Sequence, residues 1–353
     1  PKSTSPPAAS PGKADTAKAD PGGAAWAQIV EAAKKEGKLT AYNFFYSGEA
    51  GASFMNAFKE KYGITIEGVQ GSAAVNVEKI KSERAAGKDA ADIFETTVTG
   101  VWSLKAAGLL APIGGDLPVL KEKTAWRAEP VSDPEGMVLL YGIGYTTPWI
   151  NTNLVKPGDE PKSYKDFLDP KWKGKIVISD PRLTPMLARL YVTLRRNGTM
   201  DTEFFTSLAK QDIKWASSVN EAASILARGE AYANVPSTDM FEGPLLLKGA
   251  PLKPIDVAEG AVILPAPGIG VLKNAPHPNA ARLFVNWLLS EEGQKAFHGP
   301  RGGTPIRKEL ASFLPPAARV EPKKSFLSTP ADDEQASRVV REKEIAKLIG
   351  IEK

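Results

Sequence analysis

The polar residues best suited to binding chemistry follow predicted strands, where a helix is about to begin. They are Ser47 and Gly48, Ser72, Thr96 and Thr97, and Ser217, Ser218 and Asn220. Hydroxyl and amide groups there can donate hydrogen bonds, and the free N–H groups and dipole of a helix start attract carboxylate or phosphate. The pattern indicates a site for an anionic or polar ligand. The alternative stays open that Ser218 or Asn220 is simply the N-cap of its helix.

One cation and two aromatic residues extend this candidate site. Arg182 lies just beyond a predicted strand, where its guanidinium could hold a carboxylate or phosphonate through two hydrogen bonds. A surface ion pair between Arg182 and Asp180 is the alternative. Tyr46 ends an aromatic run and Tyr145 lies in an apolar segment, and either ring could stack on a ring or cation of the ligand.

The sequence contains few of the groups that an enzyme needs. Cysteine is absent, which excludes disulfides, thiolate metal sites and a cysteine nucleophile. The two histidines, His277 and His298, flank one predicted helix and are expected to cap it or to lie exposed. No nucleophile elbow, P-loop, zinc-protease motif or EF-hand loop occurs. We therefore predict that the protein is not an enzyme and uses neither a cofactor nor a metal.

The segments around these residues alternate between strands and helices. Between Trp26 and Leu110, amphipathic helices that stop at glycines alternate with short apolar strands, and residues 175–235 repeat the alternation. This order predicts an α/β fold with parallel sheets, in which ligands bind outside the carboxyl ends of the strands.

Length and composition predict two lobes and an extended N-terminal segment. A chain of 353 residues exceeds what one core usually supports. Apolar segments near residues 145–152 and 261–272 are the expected crossings between the lobes. Residues 1–24 are almost wholly Pro, Ala, Ser, Thr, Gly, Lys and Asp, which predicts a flexible tether. We expect a lipoprotein arm, with an unanchored tail as the alternative.

Charge and hydropathy exclude two further classes. The net charge is +4, with basic and acidic residues interspersed, as on a solvated surface and unlike a nucleic-acid-binding face. No apolar run approaches the roughly 18 residues that a membrane-spanning helix needs. We therefore expect neither a nucleic-acid partner nor a membrane span.

Four stretches resemble the type II periplasmic solute-binding proteins of ABC transporters, in the ferric-iron-like branch. They are residues 31–42, 91–94 with 108–110, 164–178, and 279–297. The resemblance implies two α/β lobes joined by two crossing strands, with a ligand cleft between the lobes that closes by hinge motion. It assigns residues 26–145 and 267–353 to lobe 1 and residues 146–266 to lobe 2. It also makes the C-terminal helix part of lobe 1 and Trp287 a core residue.

The same resemblance bears on the ligand. Ferric-binding members of the family hold the metal with two adjacent tyrosines on a loop after the last strand of the second lobe. The matching region here, residues 234–239, contains no tyrosine. A ferric ion prefers phenolate or carboxylate oxygen, so this difference disfavours direct iron binding. Ser237, within that region, is expected to contact a polar or anionic organic ligand instead.

The resemblance therefore implies the substrate-binding component of an ABC importer. It would capture a carboxylate, phosphonate or phosphate ester, aromatic or not, and deliver it to a membrane permease. We expect a monomer in the periplasm or outside the cell, held to the membrane through an N-terminal lipid anchor. A ferric iron or ferric-chelate binding protein is the alternative, and a small-molecule enzyme is a further one.

Overall fold

The computed structural model describes residues 23–122, 126–341 and 343–351. The predicted tether, apart from its last two residues, lies outside the described residues, and so does its expected lipid anchor. Within the described part, no helix is both long and apolar enough to cross a membrane.

The helices are α1 (Gly23–Glu36), α2 (Gly48–Tyr62), α3 (Ala73–Ala85), α4 (Val98–Ala106), α5 (Met186–Arg196), α6 (Thr202–Leu208), α7 (Val219–Ala227), α8 (Asp239–Leu247), α9 (Pro278–Leu289), α10 (Glu291–His298), α11 (Pro330–Arg341) and α12 (Glu344–Leu348). The strands are β1 (Lys38–Asn43), β2 (Thr65–Gln70), β3 (Ile93–Thr96), β4 (Leu139–Leu140), β5 (Gly142–Asn151), β6 (Ile176–Ser179), β7 (Lys214–Ala216), β8 (Ala233–Thr238), β9 (Leu252–Pro254), β10 (Ala261–Leu264), β11 (Gly268–Val271), β12 (Thr304–Pro305) and β13 (Ser325–Leu327).

The first lobe is built on a five-stranded sheet in the order β2-β1-β3-β11-β4. Strand β1 runs parallel to β2 and β3, as the alternation predicts, whereas β11 runs antiparallel to β3 and β4. Phe54 and Phe58 are four residues apart, so they share one face of α2, and both are fully buried. Trp287 of α9 stacks on Phe54, with ring centroids 5.3 Å apart. The prediction that Trp287 is a core residue is confirmed.

The second lobe is built on a sheet in the order β13-β10-β5-β8-β6-β7, and β9 and β12 also pair with β5. Strand β6 runs parallel to β7 and β8, whereas β5 runs antiparallel to β8 and β10. Every residue of β6 is buried, as expected for a strand that is covered on both faces. Tyr164, Phe167 and Phe205 are fully buried members of the core of this lobe.

The first two crossings between the lobes lie at or near the predicted places. Tyr141 separates β4 in the first sheet from β5 in the second, and residues 265–267 separate β10 from β11 on the return. The return lies where it is predicted. The first crossing comes a few residues before 145–152, because β5 already pairs with β10 from Gly144 onward. The predicted α/β fold of two lobes joined by crossing strands is confirmed.

The C-terminal segment lies in the second lobe, whereas the prediction placed it in the first. Residues 268–298 belong to the first lobe, but the chain then crosses a third time, and β13 pairs with β10 in the second sheet. Helix α11 packs on α5, and its Ala336 and Val339 are buried in the second core. The assignment of all of residues 267–353 to lobe 1 is therefore wrong for β13, α11 and α12. The apolar face of an amphipathic helix indicates that something covers it, but not which lobe does so.

Candidate functional site

A cleft of about 1070 Å³ lies between the two lobes. The first lobe contributes the loop after β1, the start of α2, the loop before α3 and the segment after α10. The second lobe contributes the start of α7 and one face of α8. The lining residues are Phe44, Phe45, residues 47–50, Ser53 and residues 70–72, with residues 299–301 from the third crossing, and Asn220, Met240, Phe241, Pro244, Leu247 and Lys248 from the second lobe.

The start of α2 is an open hydrogen-bond donor at the edge of the cleft. Ser47 is its N-cap, yet its hydroxyl makes no capping bond to the helix, and Ser47 and Gly48 are exposed. Gly48 has a positive φ of 64°, a conformation that glycine adopts without strain. The first N–H groups of a helix lack intrahelical acceptors. This helix start can therefore donate to an anion in the cleft.

Arg301 supplies a cation beside that helix start. One of its terminal nitrogens donates to the carbonyls of Ala50, at 3.2 Å, and Phe297, at 3.0 Å, and the other donates to the carbonyl of Phe45 at 2.9 Å. Among the described residues, its guanidinium forms no direct ion pair with a carboxylate. Burial lowers the pKa of Arg301, although the negative charge of Glu95 opposes that shift.

Glu95 is a fully buried carboxylate that holds the cleft loop in place. Its Oε2 accepts hydrogen bonds from the backbone N–H groups of Phe44 and Phe45, both at 3.0 Å, and its Oε1 accepts one from the Tyr141 hydroxyl at 2.5 Å. Burial raises the pKa of Glu95 to about 7, against the lowering effect of these donors and of Arg301. The rings that line the cleft are thus positioned by a group that titrates near neutral pH.

Four of the residues predicted from the sequence line the cleft: Ser47, Gly48, Ser72 and Asn220. Ser72 also caps α3, since its Oγ accepts a hydrogen bond from the N–H of Val75 at 3.3 Å. Asn220 is exposed in the first turn of α7 and does not cap it. The structure therefore brings predicted residues of both lobes together across one cleft.

Ser217 and Ser218 are engaged by their own helix. The hydroxyl of Ser218 accepts from the N–H of Glu221 at 3.1 Å, which is the N-cap alternative considered from the sequence. The Ser217 hydroxyl donates to the Glu221 carboxylate at 2.5 Å. Neither residue lines the cleft.

Other predicted residues lie away from the cleft lining, buried or half-buried: Tyr46, Thr96, Thr97, Tyr145 and Ser237. Tyr46 belongs to the first core, with its ring centroid 5.1 Å from that of Phe54. Ser237 is fixed within the second lobe, where its hydroxyl donates to Glu242 at 2.5 Å. Thr97 precedes α4 as its N-cap. Thr96, Tyr145 and Ser237 lie in β3, β5 and β8, and every residue of these three strands is buried.

Arg182 forms the ion pair that the sequence offered as the alternative. Its Nε lies 3.0 Å and 3.1 Å from the two carboxylate oxygens of Asp180, and a terminal nitrogen lies 2.5 Å from one of them. The other terminal nitrogen donates to the carbonyl of Ile351 at 3.2 Å. Arg182 does not line the cleft, and Arg301 is the guanidinium that does.

Two further buried carboxylates anchor α8 behind its cleft face. Asp239 accepts from the N–H groups of Tyr145, at 2.9 Å, and Thr304, at 3.1 Å, which joins α8 to two crossing segments. Glu242 accepts from the Asn234 side chain at 2.8 Å. Burial raises the pKa of Asp239 to about 6 and that of Glu242 to about 8.

The histidines differ from each other. His277 sits at the N-cap position of α9, but its side chain makes no capping bond, and its ring Nδ1 lies 3.0 Å from Asp92 instead. His298 is buried, with Nε2 3.3 Å from the Tyr141 carbonyl, and burial lowers its pKa to about 3. The prediction of an exposed or capping His298 is therefore wrong, because α10 turns its last residue into the first lobe.

Sequence reasoning missed Arg301 and the face of α8. Arg301 follows a helix in a polar segment, and nothing in its neighbourhood indicates a strand end or a ligand. The apolar spacing of Met240, Phe241, Pro244 and Leu247 was visible, but such a stripe more often covers a core. In the described stretches, no group of three or more histidine, aspartate or glutamate residues is placed to hold a metal ion.

Comparisons with known proteins agree on one family. The sequence profile of the bacterial extracellular solute-binding proteins matches residues 53–323. Iron uptake protein A1 of Synechocystis is 27% identical over 281 residues, covering 72% of this chain and 74% of that protein. A Salmonella typhi periplasmic protein, named for a proposed role in binding 2-aminoethylphosphonate, is 25% identical over 263 residues, covering 72% and 73%.

Solved structures show the same fold. Iron-bound HitA of Pseudomonas aeruginosa superposes with a TM-score of 0.67 at 25% identity, covering 87% of this chain and 99% of that one. AfuA of Actinobacillus pleuropneumoniae, with fructose-6-phosphate bound, also gives a TM-score of 0.67, at 22% identity, and covers 89% and 98%.

Proposed function

The chain belongs to the bacterial extracellular solute-binding proteins, and on that basis we propose that its cleft captures a small organic anion. As a member of this family it is the non-enzymatic solute-binding component of an ABC importer, works in the periplasm or outside the cell, and has a membrane permease as partner. The proposed ligand is a carboxylate, phosphonate or phosphate ester, held when the two lobes close on it.

Arg301 is the observation that carries this proposal. Its guanidinium is partly buried at the cleft and bonds to main-chain carbonyls, without a direct carboxylate partner among the described residues. A partly buried cation of this kind is stabilised by an anion that approaches it. The exposed start of α2 adds donors at the same place, and Lys248 adds a second positive charge at the cleft.

The named relatives support two ligand classes, an iron species and a phosphonate. The cleft favours the second. Of the lining residues, Glu49 alone carries a carboxylate, and none is a tyrosine or histidine. Ferric ion prefers several hard oxygen ligands, which this lining does not supply. Binding of an iron species is the alternative function, and the experiment must distinguish it from binding of an organic anion.

A thermal-shift comparison tests the proposal. The protein is heated with an organic carboxylate, with 2-aminoethylphosphonate and with ferric citrate, as wild type and as Arg301→Gln. We expect an organic anion to raise the melting temperature of the wild type, because a ligand that binds the folded state stabilises it. The shift should be lost in Arg301→Gln. Stabilisation by the ferric salt alone, with a visible charge-transfer band, would overturn the proposal.

A further inference from the structure

The two lobes offer the cleft chemically different walls. The floor on the first lobe is polar and cationic, with Arg301, Ser47 and Ser72 beside the start of α2. The opposite wall, on the second lobe, is mainly apolar. Its apolar residues come from α8 and are Met240, Phe241, Pro244 and Leu247; Asn220 and Lys248 are the polar residues that this lobe adds to the lining. A ligand that satisfies both walls must itself have a charged end and an apolar end.

Helix α8 presents this apolar wall because its polar residues point the other way. Positions 240, 241, 244 and 247 recur at helical spacing and share one face. Asp239 and Glu242 lie on the buried side, where both carboxylates are fully enclosed by hydrogen bonds within the protein. Met240, Phe241 and Leu247 are half-buried in this structure, so the face is partly open to the cleft.

Two phenylalanines on the first lobe extend the apolar wall. The Phe44 side chain is 41% exposed, although aromatic rings are usually covered. Its ring meets that of Phe45 edge to face, with centroids 4.9 Å apart. Glu95 accepts from the backbone N–H groups of both residues. The exposed ring is thus held in place at the cleft, and apolar surface presented in this way marks a contact site.

We propose that the solute is an amphipathic organic anion, with one acidic head group against Arg301 and an aromatic or branched apolar body against Phe44 and Phe241. This inference rests on the proposed function and narrows it. A sugar phosphate fits less well, because hydroxyl groups buried against these apolar side chains would lack hydrogen-bond partners. Inorganic phosphate would leave most of the 1070 Å³ cleft unfilled.

Calorimetric titration with three phosphonate or phosphate probes tests the inference. The probes are phenylphosphonate, methylphosphonate and fructose 6-phosphate, which share a related head group and differ in the body. We expect phenylphosphonate to bind about 10-fold or more tightly than the other two, because only its ring buries apolar surface on α8.

Three variants separate the two ends of the ligand. Phe241→Ser should weaken phenylphosphonate binding much more than methylphosphonate binding, and so remove most of the advantage of phenylphosphonate. Phe44→Ser, at a more exposed ring, should have the same effect and guards against misfolding of the first variant. Arg301→Gln should weaken all three probes. Leu183→Ser is the control, since Leu183 is 64% exposed but lies outside the cleft lining.

The outcomes are distinguishable. Equal binding of the three probes, or a preference for fructose 6-phosphate that Arg301→Gln still abolishes, would overturn the amphipathic ligand and leave the anion-binding function standing. Failure of every anion, with saturable binding of ferric citrate, would overturn both.

Discussion

The Tyr141 hydroxyl donates a hydrogen bond of 2.5 Å to Oε1 of Glu95. Tyr141 is the residue at which the chain first leaves one lobe for the other. Glu95 is the buried acidic residue of β3, and its carboxylate faces the cleft loop. One carboxylate therefore joins the first crossing to the loop that carries Phe44 and Phe45. The first crossing and the loop that carries part of the binding surface therefore share this group.

Affinity for an anion should increase as pH falls through about 7. The pKa of Glu95 is raised to about 7, and an anion bound beside Arg301 adds negative charge nearby, which raises it further. Binding then takes up part of a proton. Titration with benzoate, whose charge is constant in this range, in two buffers of different protonation enthalpy measures that uptake.

The control must show that the pH dependence comes from Glu95 and not from another buried group with a pKa near 7. Asp239 and Glu242 have pKa values raised to about 6 and 8, while burial keeps Tyr141 and His298 neutral near pH 7. Glu95→Gln should abolish the pH dependence, and Glu242→Gln should keep it. Equal proton uptake in wild type and Glu95→Gln would contradict the assignment.

Arg301→Gln should weaken anion binding by about 30-fold or more, because removal of one member of a buried charge pair commonly costs about 2–5 kcal/mol. Arg182→Ala should change the affinity by less than about 2-fold, since Arg182 is bound to Asp180 outside the cleft. Calorimetric titration of both variants with one organic anion gives the comparison. A large loss of affinity in Arg182→Ala would mean that Arg182 binds the anion, as predicted from the sequence.

Glu242→Gln should flatten the pH dependence of stability. The pKa of Glu242 is raised from 4.5 to about 8 in the folded protein, so the folded state holds a proton that the unfolded chain has released. The free energy of unfolding therefore falls as pH rises between these values, by an amount on the order of a few kcal/mol. Urea denaturation at about pH 5 and about pH 8 measures the difference. Parallel pH curves for wild type and variant would contradict this role.

Thr99→Val should loosen the contact between the lobes without unfolding either one. The Thr99 hydroxyl, on the first lobe, donates to Asp333 of α11 at 2.8 Å, while Arg189 and Ser328 hold Asp333 from within the second lobe. One lost hydrogen bond costs about 1 kcal/mol. Small-angle scattering of the unliganded variant should therefore give a larger radius of gyration than the wild type.

Thr206→Val is the matched control for that measurement. The Thr206 hydroxyl bonds to the carbonyl of Glu203 within one helix of the second lobe. It should leave the radius of gyration unchanged. A variant at Thr99 that scatters like the wild type would mean that this contact does not restrain the lobes.

The fold was largely readable from the sequence, because periodicity and glycine stops report local structure. The alternation between Trp26 and Leu110 became the first lobe, and the return crossing lies where its apolar segments predict. The sequence did not predict which lobe α11 packs on, because the partner of an apolar helix face is set by contacts that are distant in the chain. The positions of Ser47 and Asn220 after predicted strands identified them as cleft residues. Arg301 was not identified, because the path of the third crossing brings it to the cleft.

The position of β11 has a consequence for biosynthesis. This strand lies between β3 and β4, although it follows them by more than a hundred residues in the chain. The first sheet therefore has a gap between β3 and β4 until residues 268–271 have left the ribosome, and the second sheet waits still longer for β13. Contacts so distant in sequence make folding slow and late. A polypeptide made in one compartment and used in another thus stays unfolded, and able to pass through a narrow secretion channel, for most of its synthesis.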